Sequence, residues 1–420
     1  MSSEFEQNLE KYAEVILKVG LNLQPGQRLL IGAPIPPNYG TPLELAPLVR
    51  IITEKAYQMG ARFVEVLWDD EQLKLIRFQH APRDSFEEFP TWRTDAQFEF
   101  AKAGDAVLII VAFNPDLLKD QDSNLFMTTL QTYIKHDKPF SDLRHQDTMN
   151  SLIIAAPTEG WANKLFPNLP KETGKTKLWD IIFDICRVKN KDPISAWEEH
   201  IKNLEARCNF LNKKHYKYLK LVAPGTDLTI GLPSKHNWQA ARNTSKNGID
   251  FVGNIPTEEV FTLPHKDKTE GFVSVTKTFS QQVLIEDLKL YFSEGKIVKA
   301  TAKTGEAFIQ GILDTDEGTR RLGEIALVPH SSPISQTGIL FYYILIDENS
   351  SCHIALGNAW RSCLEDGNTM SDDKFSAEGG NISKLHYDFM IGSGELDVDG
   401  IREEGIAEPI MRNGEWTFEV

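Results

Sequence analysis

The chain has 420 residues, of which 41% are hydrophobic and 25% are charged, and its formal net charge is −15 at pH 7. A chain of this length exceeds one ordinary hydrophobic core, so we expect two domains of about 200 residues each. The composition excludes a disordered chain and a membrane protein, and the strong negative charge argues against nucleic acid as a partner.

The first half of the chain alternates predicted strands and helices after an amphipathic helix at the start. The strand-like runs are RLLIGAP (28–34), RFVEVLW (62–68), DAVLIIVAF (105–113) and SLIIAAP (151–157), with helical patterns such as residues 43–61 between them. This alternation predicts an α/β domain with a largely parallel sheet. No glycine-rich nucleotide-binding motif follows these strands, so the fold alone assigns no cofactor.

The second half is predicted to be mainly β structure. Two predicted helices, at residues 177–188 and 194–214, lead out of the first domain. Short strands and turns then dominate, including LTIGLP, GFVSVTKTFS, KLYFSEGKIVKATA, GILFYYILI and CHIALG. We therefore expect an α/β domain in residues 1–215 and a mainly β (α+β) domain in residues 216–420. Residues 365–381 are expected to form a mobile surface loop.

Cysteine usage and the first residues of the chain indicate a cytoplasmic protein. Four cysteines without a Cys-x-x-Cys pair are too few for a disulfide framework. The first twenty residues lack the basic segment, apolar core and cleavage site of a secretory signal. Reduced thiols in the cytoplasm are therefore expected.

A histidine and an aspartate lie two residues apart on one predicted strand. In ISKLHYDFMIGS (382–393) the apolar residues alternate onto one face, so His386 and Asp388 share the other face. For such a pair taken alone, a histidine held by a neighbouring acid at the surface of a sheet is the simplest interpretation. Partners elsewhere in the chain would change it.

Three further stretches place ionisable residues where a core would be apolar. Glu324 opens a buried-looking strand, and His353 lies within another. Glu258 and Glu259 follow a proline-containing turn, where one acid is expected to point inward. Charged groups are costly to bury unless they are paired or bind metal. Two imidazoles and three carboxylates suit zinc, cobalt or manganese, and one carboxylate can bridge two ions in a hydrolase site.

Other catalytic arrangements fit the sequence less well. The chain has no His-Glu-x-x-His or Gly-x-Ser-x-Gly motif. Cys352 and His353 are neighbours on a predicted strand and would face opposite sides, so they cannot form a nucleophile–base pair. A dinuclear phosphoesterase stays open as an alternative, because similar ligands serve phosphate ester hydrolysis.

The order of these stretches resembles one known family over nearly the whole chain. The chain is similar to the M29 aminopeptidases, also called thermophilic or AmpS-type aminopeptidases, in LEKYAEVILKVGLNLQPGQRLLI, LWDIIFDICRV, AWEEHIKNL, PGTDLTIGLP, NIPTEEVFT, SPISQTGILFYYILIDENSSCHIALG and HYDFMIGS. The resemblance implies a two-domain, homodimeric metallo-aminopeptidase with two divalent metal ions (zinc, cobalt or manganese). Such an enzyme removes residues from the free amino termini of short peptides.

The resemblance also implies roles for individual residues. The metal ligands that it assigns are Glu259, Glu324, His353, His386 and Asp388. Asp388 is expected to bridge the ions, and Glu324 is expected to combine a metal contact with proton transfer. Glu258 is expected to be solvated. The second domain would hold the catalytic centre, with the first domain and the dimer partner limiting access to it.

Trp360 departs from the family pattern, which usually has a tyrosine seven residues after the histidine of CHIALG. Tryptophan offers only an indole N–H donor, so acid–base work at this position is lost. We expect lower or altered peptidase turnover as a result. The alternative function is a catalytically weakened, peptide-binding or structural dimer that retains the metal site.

Overall fold

Two compact units make up the chain in a computed structural model, which describes residues 3–33, 39–276, 278–280 and 283–420. Unit 1 comprises Met1–Glu199 and Arg242–Pro256, and unit 2 comprises His200–Ala241 and Thr257–Val420. Residue 34 of the first predicted strand and residue 277 of GFVSVTKTFS lie outside the described residues. The assignment of separate roles to residues 1–215 and 216–420 stays a prediction.

Helices are concentrated in the first half of the chain, as its helical spacing predicts. The α-helices are α1 (Ser3–Glu14), α2 (Ala46–Gln58), α3 (Glu71–His80), α4 (Trp92–Ala103), α5 (Ser123–His145), α6 (Glu159–Leu165), α7 (Lys171–Ile185), α8 (Pro193–Lys214), α9 (Glu306–Leu313), α10 (Ile344–Asp347) and α11 (Asp372–Ala377). Side chains of Asp70, Asp122 and Thr158 accept backbone N–H groups at the starts of α3, α5 and α6. None of the helices in the described part of the chain has the length and apolar content needed to cross a lipid bilayer.

Strands occur in both units. They are β1 (Arg28–Ile31), β2 (Thr41–Pro42), β3 (Phe63–Val66), β4 (Trp68–Asp69), β5 (Ala106–Val111), β6 (Ser151–Ala155), β7 (Tyr218–Ala223), β8 (Thr226–Gly231), β9 (Arg242–Thr244), β10 (Asp250–Val252), β11 (Asn254–Ile255), β12 (Val260–Thr262), β13 (Thr269–Ser274), β14 (Thr278–Ser280), β15 (Val283–Ile285), β16 (Lys289–Ser293), β17 (Lys296–Thr301), β18 (Leu322–Leu327), β19 (His353–Gly357), β20 (His386–Met390), β21 (Asp397–Ile401), β22 (Ala407–Arg412) and β23 (Glu415–Trp416).

The parallel sheet predicted for the first half is present in unit 1. Its strand order is β11-β6-β5-β1-β3, and every neighbouring pair is parallel. Five of the six residues of β5 are buried, which explains why AVLIIV is continuously apolar rather than alternating. The α/β prediction for this half is confirmed.

Unit 2 contains two large antiparallel sheets. The larger has the order β17-β16-β13-β8-β7-β21-β22-β23, and the smaller has the order β12-β18-β19-β20. Every residue of β18 and β19 is buried, although both strands carry an ionisable side chain. The prediction of a mainly β second half is confirmed, and the four-stranded sheet carries most of the candidate site residues.

Residues 338–346, expected to form a buried strand, form none. Tyr342 lies in the left-handed region with a φ of 63°. The backbone N–H groups of Phe341 and Tyr343 donate to the carboxylate of Asp347 at 2.7 and 3.0 Å. Because this buried acid takes up N–H groups that a neighbouring strand would need, the segment turns into α10.

Residues 365–381, expected to form a mobile surface loop, are instead folded onto unit 2. The segment contains α11, and Phe375 within it is only 1% exposed. The buried side chain of Asn381 donates to the carbonyl oxygens of Gly318 and Gly357 at 2.8 and 2.6 Å. The polar composition of the segment gave no indication that Phe375 and Asn381 are buried contacts.

Candidate metal centre

Three adjacent strands of the four-stranded sheet arrange ionisable side chains on one face. Glu324 on β18 and Asp388 on β20 both pair with Ala355 on the central strand β19, so the two acids lie in one row. His353 and His386 are each two residues before a member of that row, and alternate residues of a strand share a face. The register of the sheet therefore brings two imidazoles and two carboxylates together.

Small residues between these side chains leave space on the same face. Ala326 pairs with His353, and Gly357 pairs with His386. At Gly357, where φ is +100°, an added Cβ atom would lie 2.1 Å from the carbonyl oxygen of Leu385. Both the positive φ and this close backbone approach therefore require glycine at position 357.

Glu259 reaches the same face from the start of β12. Phe261 on this strand pairs with Ala326, and Glu259 lies two residues earlier. Its Oε2 is 3.1 Å from Nε2 of His353. The two atoms are close but not aligned as a hydrogen bond, and Oε2 of Glu259 has no hydrogen-bond partner within the described part of the chain. A buried carboxylate oxygen that faces an imidazole nitrogen without an aligned hydrogen bond is compatible with two groups that bind one cation.

The possible ligand atoms form two groups that share Glu324. The groups are Glu259, Glu324 and His353, and Glu324, His386 and Asp388, and within each the ligand atoms all lie within 4.8 Å of one another. Nε2 of His386 lies 3.0 Å from Oε2 of Glu324 and 3.3 Å from Oδ1 of Asp388. Glu324 is thus the residue common to both groups, and the bridging role that the family resemblance implies for Asp388 stays a prediction.

Backbone carbonyl groups orient both imidazoles. Nδ1 of His386 lies 2.7 Å from the carbonyl oxygen of Asn358, and Nδ1 of His353 lies 3.2 Å from that of Ser351. A donated Nδ1–H leaves Nε2 as the ligand atom, which is the usual arrangement of metal-binding histidines. In both residues, Nε2 is the nitrogen that faces the carboxylates.

Burial and mutual interaction shift the pKa values of these groups. Burial raises the pKa of Glu259 above its usual value. Burial alone would lower the pKa of His353, but the nearby carboxylates of Glu259 and Asp388 raise it to about 10. Burial also opposes ionisation of Asp388, yet the imidazoles of His386 and His353 hold its pKa below the usual value. The charged forms of His353 and Asp388 are therefore stabilised against burial by their oppositely charged neighbours.

The donor set fits divalent cations. Carboxylate oxygens and imidazole nitrogens suit zinc, cobalt and manganese. The acids outnumber the imidazoles, and one buried carboxylate oxygen, Oε2 of Glu259, has no hydrogen-bond partner among the described residues. A bound cation would supply the positive charge and the ligand contacts that this buried cluster requires.

Glu348 is a further acid in this environment, and sequence reasoning missed it. It begins the short 3-10 turn Glu348–Ser350 and is not part of a strand. Burial raises its pKa well above the usual value, and the negative charges of Asp388 and Glu259 raise it further. Because it lies outside any periodic pattern, the only signal in the sequence was an acid shortly before CHIALG.

Glu258, expected in solvent, is buried and only 4% exposed. Its Oε2 lies 3.5 Å from Nε2 of His200, and its backbone N–H donates to Oδ1 of Asn349 at 2.7 Å. These partners are distant in sequence, so no local pattern could identify them. Glu258 therefore anchors the segment that presents Glu259.

Trp360 contacts two of the candidate ligands. Its indole Nε1–H donates to Oε2 of Glu324 at 2.9 Å. Its ring centroid lies 5.2 Å from that of His386, with the two planes inclined by 56°. The residue that stands at the family's tyrosine position thus reaches the centre as a hydrogen-bond donor.

Imidazoles and carboxylates on one face of an antiparallel sheet, in a chain that also contains an α/β unit, are features of a metal-dependent hydrolase. The sequence profile of the thermophilic metalloproteases (M29) matches residues 5–416. The chain therefore belongs to the M29 family of metalloproteases, whose members are peptidases that use divalent metal.

Relatives with known names agree with this membership. Aminopeptidase 2 of Geobacillus stearothermophilus is 43% identical over 419 residues, covering 100% of both chains. Aminopeptidase AmpS of Bacillus subtilis (strain 168) is 41% identical over 415 residues, covering 99% of each. The solved structure of wild-type AmpT from Thermus thermophilus superimposes with a TM-score of 0.91 at 36% identity, over 99% of this chain and 100% of that one.

Proposed function

We propose that this protein is a metal-dependent aminopeptidase that hydrolyses the amino-terminal residue of short peptides. It would hold two divalent cations, zinc, cobalt or manganese. Glu259 and His353 would serve one cation, His386 and Asp388 the other, and Glu324 would bridge them. The observation that carries this proposal is the pair of ligand groups sharing Glu324 in a chain of the M29 family.

Proton transfer in this proposal falls to Glu348 rather than to Glu324. When bound, divalent cations polarise the scissile carbonyl and lower the pKa of a water molecule. Glu324 is already engaged, because its Oε2 accepts the indole N–H of Trp360 and lies 3.0 Å from His386. Glu348 stands outside the two ligand groups, and its buried carboxyl group interacts electrostatically with Asp388 and Glu259, so it is the acid left to accept a proton and pass it to the leaving amine.

A free amino terminus is the feature by which the substrate would be recognised. The centre contains more acids than imidazoles, and Glu348 adds a further carboxyl group to the same electrostatic environment. A peptide ammonium group is attracted to such a site, whereas an acetylated terminus carries no charge to attract. The relatives named aminopeptidases support this choice of substrate end.

The test compares matched peptides on protein freed of metal with a chelator. Peptides of one sequence would carry a free amino terminus, an acetylated amino terminus, or an amidated carboxyl terminus, with zinc, cobalt or manganese added in turn. We expect cleavage only with added cation and only of peptides with a free amino terminus, whichever carboxyl terminus they carry. Equal cleavage of the acetylated peptide, or greater activity on phosphate esters, would contradict the proposal.

A homodimer in the cytoplasm completes the proposal. The similarity to M29 aminopeptidases supports the dimer, and the four buried free thiols are compatible with a reducing compartment. Light scattering on the eluting size-exclusion peak should give a mass of twice the 47.5 kDa chain. A monomer mass at micromolar concentration would contradict the dimer without affecting the proposed chemistry.

Trp360 supports a second candidate function, which is a peptide-binding dimer with little turnover. The observation that favours it is the indole N–H at the tyrosine position, which donates to Glu324. This group is a donor only and does not titrate, so it cannot give up and regain a proton during catalysis. Metal-dependent binding of free-terminus peptides without product formation over hours would identify this function.

A further inference from the structure

The indole of Trp360 has two separate contacts with the proposed metal centre. Its N–H donates at 2.9 Å to Oε2 of Glu324, the same oxygen that lies 3.0 Å from Nε2 of His386. Its ring also lies 5.2 Å from the imidazole of His386. One side chain therefore restrains both an acid and an imidazole of the same ligand group.

The side chain of Glu324 can adopt several conformations, and the contact with Trp360 restricts them. It is 5% exposed, and a glutamate has several rotamers that would carry its carboxylate away from the other ligands. A hydrogen bond from a fixed N–H group to a buried carboxylate selects one of these rotamers and is stronger than the same bond in water.

Trp360 is itself held in place by apolar packing. It lies against the buried cluster formed by Leu263, Ala359, Cys363, Leu364, Met370 and Phe375. It immediately precedes the short 3-10 turn Arg361–Cys363. The indole N–H donor therefore belongs to a side chain that is fixed by packing, not to a mobile side chain on the surface.

We propose that Trp360 is a positioning residue that sets Glu324 and His386 in their cation-binding arrangement before the cation arrives. The inference rests on the metal centre of the proposed function. It assigns Trp360 no acid–base step, because the indole N–H does not titrate in the physiological range. Outer residues that orient metal ligands typically contribute about 10- to 100-fold to metal affinity.

The experiment measures zinc affinity of the metal-free protein by competition with a chromophoric chelator. Trp360→Phe keeps an aromatic ring but removes the donor, and it should weaken zinc binding by about tenfold or more. Trp360→Tyr replaces the indole with a ring that carries another donor and should stay within about threefold of the original protein.

Trp238→Phe is the matched control. Trp238 is a buried tryptophan of the same unit, 1% exposed, and its Nε1 has no hydrogen-bond partner within the described residues. This substitution also removes an indole ring from unit 2, but it should leave zinc affinity unchanged. Circular dichroism of each metal-free variant checks folding, and Trp360→Leu replaces Trp360→Phe if the latter does not fold.

The outcomes separate this inference from the proposed function. Unchanged zinc affinity in a folded Trp360→Phe or Trp360→Leu variant would overturn the positioning role while leaving the metal centre intact. An equal loss in Trp360→Tyr and Trp360→Phe would also overturn it, because the donor would then not be the cause. An original protein that binds no divalent cation would overturn the metal centre and the positioning role together.

Discussion

Glu324 and Asp388 lie on opposite sides of Ala355, in one row of the four-stranded sheet. Neighbouring strands are about 4.8 Å apart, so the two backbone positions are about 10 Å from each other. The longer side chain of Glu324 reaches the imidazole of His386 across this interval, while the methyl group of Ala355 leaves the middle open. The ladder hydrogen bonds thus fix the spacing of the acids without any cation.

The sharing of Glu324 predicts unequal losses of metal among ligand variants. Glu324→Gln should lower bound cation to well below one per chain, because it removes a ligand from both groups. Glu259→Gln and Asp388→Asn each affect one group and should retain about one cation. Elemental analysis after equilibrium dialysis measures this, with the exposed acid variant Glu395→Gln as control. Two cations retained by Glu324→Gln would refute the shared position.

Glu348 is predicted to act in proton transfer without binding metal. Glu348→Gln keeps the shape of the side chain but cannot accept a proton, so kcat should fall by about 10²- to 10⁴-fold. Cation content and KM should stay close to those of the original protein, and Glu395→Gln again serves as control. If kcat is unaffected, another group carries the proton.

Restoring a hydroxyl at position 360 is predicted to raise turnover. Tyr at this position can both donate and accept a hydrogen bond, whereas the indole of Trp360 only donates. Trp360→Tyr should therefore increase kcat on free-terminus peptides at saturating cation. The measurement is a steady-state rate under cation concentrations that fill the centre in both proteins. A kcat that is unchanged or lower would count against the role assigned to the missing hydroxyl.

His236 is predicted to make stability pH-dependent on the acidic side. Burial lowers the pKa of His236 to about 4. Its value in the unfolded chain is about 6.5, so the folded state favours the neutral ring. The contribution of neutral His236 to the free energy of unfolding is therefore complete above pH 6.5 and is lost as the pH falls towards 4.

The loss between pH 7 and pH 5 should be about 2 kcal/mol in the free energy of unfolding. His236→Phe keeps a flat ring that does not titrate, so its stability should fall less over the same interval. Urea unfolding of the metal-free proteins at both pH values measures the difference. Parallel losses in the two proteins would show that His236 does not titrate on unfolding.

The fold was predictable wherever a segment had a clear hydrophobic period. Residues 105–113 read as a buried parallel strand because both faces of β5 are covered. The period of two also placed His386 and Asp388 on one face, where Nε2 and Oδ1 are 3.3 Å apart. The strand predicted at residues 338–346 was wrong because the buried carboxylate of Asp347 accepts backbone N–H groups that a strand would use.

The rest of the site depends on tertiary contacts that no local pattern contains. The sharing of Glu324 follows from the register of β18 against β19, which the sequence does not fix. Glu258 is buried by His200 and Asn349, which are 58 and 91 residues away in the chain. Glu348 lies in a short turn without periodicity. Spacing rules apply within an element and cannot detect such partners.

Anomalous scattering from zinc-soaked crystals, recorded on both sides of the zinc absorption edge, tests the proposed centre most directly. The predicted result is two zinc peaks in unit 2, one beside Glu259 and His353 and one beside His386 and Asp388. Carboxylate oxygens of Glu324 should lie about 2.0–2.2 Å from both. Zinc bound elsewhere, or a single peak that Glu324 does not touch, would contradict the account.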